Sequence, residues 1–260
     1  MKKILIVLFA SFLLVACADK PKADTLVVAT SPDYAPYEFI NPDKNGAIEG
    51  SDIVLAQYIA DKLGKELVLE PVDFASIPSG VSLDKYDIGI SGFTFTEERA
   101  EIVDFSITYD TSESACQGIL VKKDAVDQYK SFADFSGKKV AAQNASAQLM
   151  HAEKNLTGAD IQLVAKTDDA ILQLKNDKVD AIAISCAAGD IFMQNNDDLI
   201  MSDVQFEVDP DDGQMVIVSK ENPELLKQIN KIIEEINEQG LYTQWFLEAQ
   251  EVATDLGLLD

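Results

Sequence analysis

The sequence predicts an α/β protein of two lobes, each a mostly parallel sheet flanked by helices, the lobes joined by two hinge strands. Short apolar runs alternate with stretches of helical period, the pattern of parallel strands covered by helices. The alternation comes in two series, and the second interrupts the first, which requires two crossings. The chain has 260 residues, 47% of them hydrophobic, enough for two lobes with real cores.

The first segment lies outside that fold. Lys2 and Lys3 precede an apolar run from Ile4 to Val15, broken only by Ser11. The run has the length of a signal peptide and is short for a membrane span. It ends in Leu14-Val15-Ala16-Cys17, which looks like a bacterial lipobox, so Cys17 is expected to carry a lipid. Lipidation anchors a chain to a membrane without crossing it. Residues 18–24 are polar and read as a tether.

The elements then follow in order. Leu26 to Ala29 is a short buried strand. Ile53 to Leu63 carries a helical stripe, with Ser51 as its cap and Gly64 just beyond. Leu67 to Leu69 and Tyr86 to Ser91 are strands. After a break at Tyr109 to Glu113, strands are expected at Cys116–Val121, Val140–Gln143, Ile161–Val164 and Ala181–Ser185. Helices lie between them at Ala147–Asn155 and Asp168–Lys175, the latter capped by Thr167. Val204–Val208 and Met215–Val218 flank a turn-rich bend, Asp209 to Gly213, the second crossing. An amphipathic helix from Pro223 to Gln239 and a segment from Leu241 to Gln250 close the chain. The expected division is therefore 1–17 signal, 18–24 tether, 25–110 first part of lobe one, 111–210 lobe two, and 211–260 the rest of lobe one with the C-terminal helices.

The charge is strongly acidic, 21 Lys+Arg against 45 Asp+Glu and a net −24, or −26 once Lys2 and Lys3 are removed. Such a chain is repelled by phosphates, which sets nucleic-acid partners aside. His151 is the only histidine, which excludes a multi-His zinc site. Asp209 to Gly213 hints at calcium, but a loop of the EF-hand kind starting there would place Lys220 where a Glu is needed. No metal and no cofactor are expected. Beyond Cys17, only Cys116 and Cys186 remain, and in an exported chain they form either one disulfide or two buried thiols.

Arg99 is the only arginine among the 21 basic residues. Its planar fork matches a carboxylate with two parallel hydrogen bonds, whereas lysine acts as a point charge. It follows Ser91-Gly92-Phe93-Thr94, which leaves the C-terminal end of a strand, where open α/β sheets hold their ligands. Ser91 and Thr94 offer hydroxyls, Gly92 permits close backbone approach, and Thr96 can cap the short helix carrying Arg99. Asn144-Ala145-Ser146-Ala147 stands between a strand and a helix, so its amides can meet an anion.

Three stretches resemble a known family: Ala29 to Phe39, Tyr86 to Arg99, and Val103 to Ser106. They are similar to the polar-amino-acid branch of extracellular solute-binding proteins of ABC importers, and the resemblance runs from about Leu26 to about Gln250. It implies a periplasmic-binding-protein-like fold, a monomer on the extracellular face of the membrane, and ABC permease subunits as partners. It also implies roles. Arg99 would clamp the α-carboxylate of an amino-acid-like ligand, with Thr94 and, across the cleft, Ser146 and Ala147. Tyr34 and Phe74 would sandwich the ligand's side chain, and Gln143 would face its distal end. Ser31, Ser91, Gly92, Phe93 and Ser185 complete the implied site. Ser185 departs from the family pattern, which places an Asp there for the ligand's ammonium, and Ser31 stands where some members carry Asp. Either another acid (Glu113, Asp190 or Asp211) takes that place, or the ligand lacks a free ammonium. A few relatives of this fold are cyclohexadienyl or arogenate dehydratases, but the sequence offers no obvious acid or base for that chemistry.

Overall fold

The computed structural model describes residues 25–110, 116–208 and 213–258. The signal segment, Cys17 and the tether lie outside them, as do most of the first expected hinge and residues 209–212 of the second. Two five-stranded sheets carry the fold.

In chain order the first part comprises β1 (Thr25–Thr30), β2 (Asp33–Tyr34), β3 (Glu38–Asn41), β4 (Ala47–Glu49), α1 (Ser51–Leu63), β5 (Glu66–Pro71), α2 (Ile77–Ser82), β6 (Ile88–Phe93), α3 (Glu97–Ala100) and β7 (Val103–Phe105). The middle part holds β8 (Gln117–Lys122), β9 (Lys139–Gln143), α4 (Ala147–Asn155), β10 (Asp160–Val164), α5 (Thr167–Lys175), β11 (Ala181–Ser185), α6 (Cys186–Asn195) and β12 (Leu199–Phe206). The last part holds β13 (Met215–Ser219), α7 (Pro223–Gln239) and α8 (Leu241–Asp255).

The first sheet has the order β5-β1-β6-β13-β7 and the second β10-β9-β11-β8-β12. In each, the strands linked through helices pair in parallel: β1 with β5 and β6, and β9 with β10 and β11. The strands that enter straight from a crossing, β8 and β13, run antiparallel to their neighbours. Among the described residues no helix lies between β7 and β8 or between β12 and β13, whereas the parallel pairs are joined through helices. A small antiparallel sheet, β2-β3-β4, lies beside the first.

Each large sheet is covered on both faces. Leu55, Ile59, Ile229, Ile233 and Ile236, from α1 and α7, close one face of the first sheet over Val28 and Ile90. Ile77 and Val81 of α2 close the other. In the second sheet α4 packs on one face, and α5 with Ala188 of α6 on the other. Helix α7 shows how pattern becomes packing. Its buried residues Leu225, Ile229, Ile232, Ile233 and Ile236 follow a 3.6-residue stripe. The Asn222 side chain accepts from the Leu225 amide at its start, and Gly240 ends it in the left-handed region at φ 63°. Truncating fully buried Ile229 to Ala would cost about 3 kcal/mol.

Two expected caps move by one residue. Ser51 and Thr167 are the first helical residues, not the caps. Gly50 takes the cap position of α1 at φ 133°, where a Cβ would lie 2.0 Å from the Tyr37 carbonyl oxygen, so the tight approach excludes a serine cap. The Ser51 hydroxyl is 3.0 Å from Tyr242 Oη instead.

Candidate functional site

The C-terminal ends of both sheets border one cleft, a volume of about 720 Å3 partly continuous with solvent. Tyr34, Phe74, Ser91, Gly92, Thr94, Arg99, Gln143, Ser146 and Ala147, all expected from the sequence, line it. Ser31, Phe93 and Ser185 do not line it; each is buried behind a residue that does.

Arg99 is held by local structure. Thr96 accepts from its amide at 3.1 Å and caps α3. The guanidinium sits 5.3 Å from the Phe74 ring and 5.1 Å from the Phe93 ring, and the two rings stack at 4.7 Å. Phe93 therefore supports the arginine from behind. Nη1 donates to the Thr94 carbonyl and Nη2 to the Ala145 carbonyl, each at 2.7 Å. The second bond spans the cleft, since Ala145 belongs to the loop opening α4. Two of the five donors of the fork are thus used, and the others remain for a carboxylate. Burial pulls the guanidinium down to about 10, which leaves it cationic at neutral pH.

The loop across the cleft presents the start of α4. Ser146 is buried and caps the helix, accepting from the Leu149 amide at 3.1 Å. Ala145 is left-handed at φ 60°, a conformation that costs an alanine about 1 kcal/mol. Gly92, at the end of β6, also lies at φ 60°. Its amide donates to Asp52 Oδ2 at 3.0 Å, and a Cβ there would sit 3.3 Å from Gln214 Nε2.

Asp33 and Glu38 also line the cleft, and neither was singled out from the sequence. Asp33 accepts from the Ser31 hydroxyl at 2.7 Å and, from the opposite side of the cleft, from Gln143 Nε2 at 3.2 Å. Ser31 is therefore a buried support for Asp33. Burial pushes the Asp33 carboxyl up, partly offset by the Ser31 hydroxyl, with the Asp168 charge adding to the rise. Glu38 is 1% exposed. Its Oε1 accepts from Ser91 Oγ at 2.9 Å, while Oε2 is buried without a hydrogen-bond partner. Burial, with Asp52 alongside, pushes Glu38 well above the usual carboxylate range.

Ser185 caps α6 through the Ala188 amide, and its hydroxyl meets Tyr34 Oη at 2.5 Å. That bond ties β2 to the second sheet through Ser185. Of the acids considered as its replacement, Glu113 and Asp211 lie outside the described residues, and Asp190 is exposed on α6 rather than in the cleft. Cys116 and Cys186 are joined in a disulfide, Cα to Cα 5.4 Å, beside Gln117 of the cleft wall and Ser185. His151 stacks on Phe206 at 5.4 Å and does not line the cleft. Among the described residues no cluster suits a metal ion, and no helix is long and apolar enough to cross a membrane.

The acids had a readable signal: two carboxylates in an aromatic, apolar stretch from Ala29 to Phe39, where solvated charge is out of place. The site as built offers one cation at a helix N-terminus, with a buried carboxyl, Glu38, and a half-buried one, Asp33, elsewhere on the same wall.

Comparison with known proteins agrees with this architecture. The chain is 31% identical over 264 residues to the arginine-binding extracellular protein ArtP of Bacillus subtilis, covering 95% of this chain and 98% of that one. It is 28% identical to a probable histidine-binding protein of Campylobacter jejuni, covering 93% and 96% of the two chains. A crystal structure of an amino acid ABC transporter substrate-binding protein from Streptococcus pneumoniae, bound to L-arginine, superposes with a TM-score of 0.80 at 33% identity, covering 91% of this chain and 96% of that one. The family described as bacterial extracellular solute-binding proteins, family 3, matches residues 26–248, and the chain belongs to that family.

Proposed function

We propose that the chain is the solute-capturing component of an ABC importer, anchored by lipid on Cys17 at the outer face of the membrane, and that its ligand is an amino acid with a cationic side chain. The observation that carries this reading is the charge pattern of the cleft wall: among the described residues, Arg99 is its one cationic residue, and Asp33 and Glu38 are its carboxyls. The α-carboxylate meets the free donors of Arg99 and the start of α4 at Ser146 and Ala147. The two positive charges of such a ligand, its ammonium and its side chain, find two acids, with Asp33 standing in for the acid absent at Ser185. Unpaired, a buried ammonium would be expensive. Phe74 and Tyr34 flank the stem. The names of ArtP and the arginine-bound relative support the same class of ligand. Those relatives are binding proteins, which supports capture rather than dehydration chemistry.

Closure of the lobes about residues 109–113 and 209–213 would then signal the permease. The test is a thermal-shift screen of the mature protein against L-arginine, L-lysine, L-histidine, L-glutamine and L-cystine. The cationic ligands raise Tm most, since a ligand at about a hundred times its Kd stabilises by about 2.7 kcal/mol. A larger shift with glutamine or cystine would refute the charge argument.

A further inference from the structure

We infer that Glu38 and Asp52 share one proton that a cationic ligand displaces, so that capture of the ligand releases a proton and Glu38 selects for positive charge. The inference rests on the proposed ligand class and adds to it a partner behind the cleft wall.

The geometry assigns the proton. Asp52, in the first turn of α1, is fully buried. Its Oδ1 accepts from Tyr242 Oη at 2.5 Å, and its Oδ2 from Tyr109 Oη at 2.9 Å and the Gly92 amide at 3.0 Å. Glu38 has one donor, the Ser91 hydroxyl, which itself accepts from the Ser31 amide at 3.1 Å. Two carboxylates side by side in a buried site do not both ionise, and the charge settles where more donors meet it. The charge therefore belongs on Asp52 and the proton on Glu38, whose Oε2 has no hydrogen-bond partner.

Among the described residues no lysine or arginine bonds to the pair. Asp33 on β2 adds a third acid nearby. Tyr109 and Tyr242 are phenols that burial beside Asp52 pushes well up, so they act as neutral donors. Among the described residues Arg99 is the only cationic one lining the cleft, and its guanidinium bonds to the Thr94 and Ala145 carbonyls and packs on two phenyl rings. A ligand ammonium or guanidinium placed against Glu38 supplies the missing charge. The Glu38 carboxyl gives its proton to solvent, the carboxylate pairs with the ligand cation, and the charges balance. The directions agree: burial raises Glu38 well up, and Asp52 only to about 6 because its three donors oppose the rise.

The experiment is calorimetric titration of L-arginine into the mature protein near neutral pH, in two buffers of different ionisation enthalpy. Release of about one proton per ligand is expected, with affinity rising up to about tenfold per pH unit until Glu38 ionises unaided. The variant Glu38→Gln should release none and bind arginine more weakly. A second readout needs no variant: the infrared band of a protonated carboxyl should be present in the ligand-free protein and be lost on adding arginine. An apparent enthalpy identical in both buffers, with that band unchanged, would overturn the inference even where arginine binds tightly. If no cationic amino acid binds, the functional reading fails, and the infrared band of the ligand-free protein alone decides whether the proton is there.

Discussion

The two ends of the cleft are built on opposite electrostatic principles. At the Arg99 end the charge is pre-arranged: the guanidinium is stacked on Phe74, bonded to Thr94 and Ala145, and cationic at neutral pH. At the Glu38 end the charge is withheld, because Asp52 behind it takes the donors and leaves Glu38 short of partners. On the proposed reading a ligand's carboxylate finds a finished site, whereas its cation completes an unfinished one. The difference teaches where specificity resides. Many anions suit a preformed arginine, but only a cation relieves a buried carboxyl pair.

The Arg99 end is the place to break first. Arg99→Lys removes the planar fork and should lower arginine affinity by roughly a hundredfold, about 3 kcal/mol, by calorimetry. Gly92→Ala strikes the strand end shared by both halves of the cleft, since its amide serves Asp52. With φ at 60° and Gln214 close by, it should lower unfolding stability by about 1–2 kcal/mol in a denaturant titration.

The Glu38 end is sharpened by pH. Glu38 and Asp52 both hold their protons more tightly in the fold than in the unfolded chain, where carboxyls titrate near their ordinary values. The native state therefore binds more protons, and stability falls as pH rises from the unfolded carboxyl range through about 6 and beyond. In thermal unfolding without ligand, wild type should lose more Tm between pH 5 and pH 8 than Glu38→Gln does. Equal losses would remove the carboxyl pair from the account. The smallest effect returns to the Arg99 end: Ala145→Gly relieves the left-handed residue and should stabilise by up to about 1 kcal/mol, with little change in arginine affinity.

The same contrast explains what the sequence disclosed. A lone arginine in a lysine-rich chain, beside a strand end and a capping threonine, is visible because composition and local pattern agree. The long strands, α4 and α7 were legible for the same reason: periodicity and capping residues act over short range. Glu38 and Asp52 are 14 positions apart in sequence, and their tyrosine donors come from residues 109 and 242. Nothing local links them, so only the fold brings that cluster together. Phe93 and Ser31 are placed in the site by resemblance; in the fold Phe93 stacks on Phe74 beside Arg99, and the Ser31 hydroxyl donates to Asp33. Ser185, where the family pattern has an Asp, uses its hydroxyl on α6 and Tyr34, partners that local sequence does not disclose.

The central claim is that the cleft recognises a positive side chain at one end and a carboxylate at the other. Its most direct test compares L-arginine with L-citrulline, of nearly the same shape but uncharged at the tip, by calorimetric titration at one neutral pH. The account predicts that arginine binds at least about a hundredfold more tightly, the scale of an unmatched buried charge. Equal affinity for the two would contradict it.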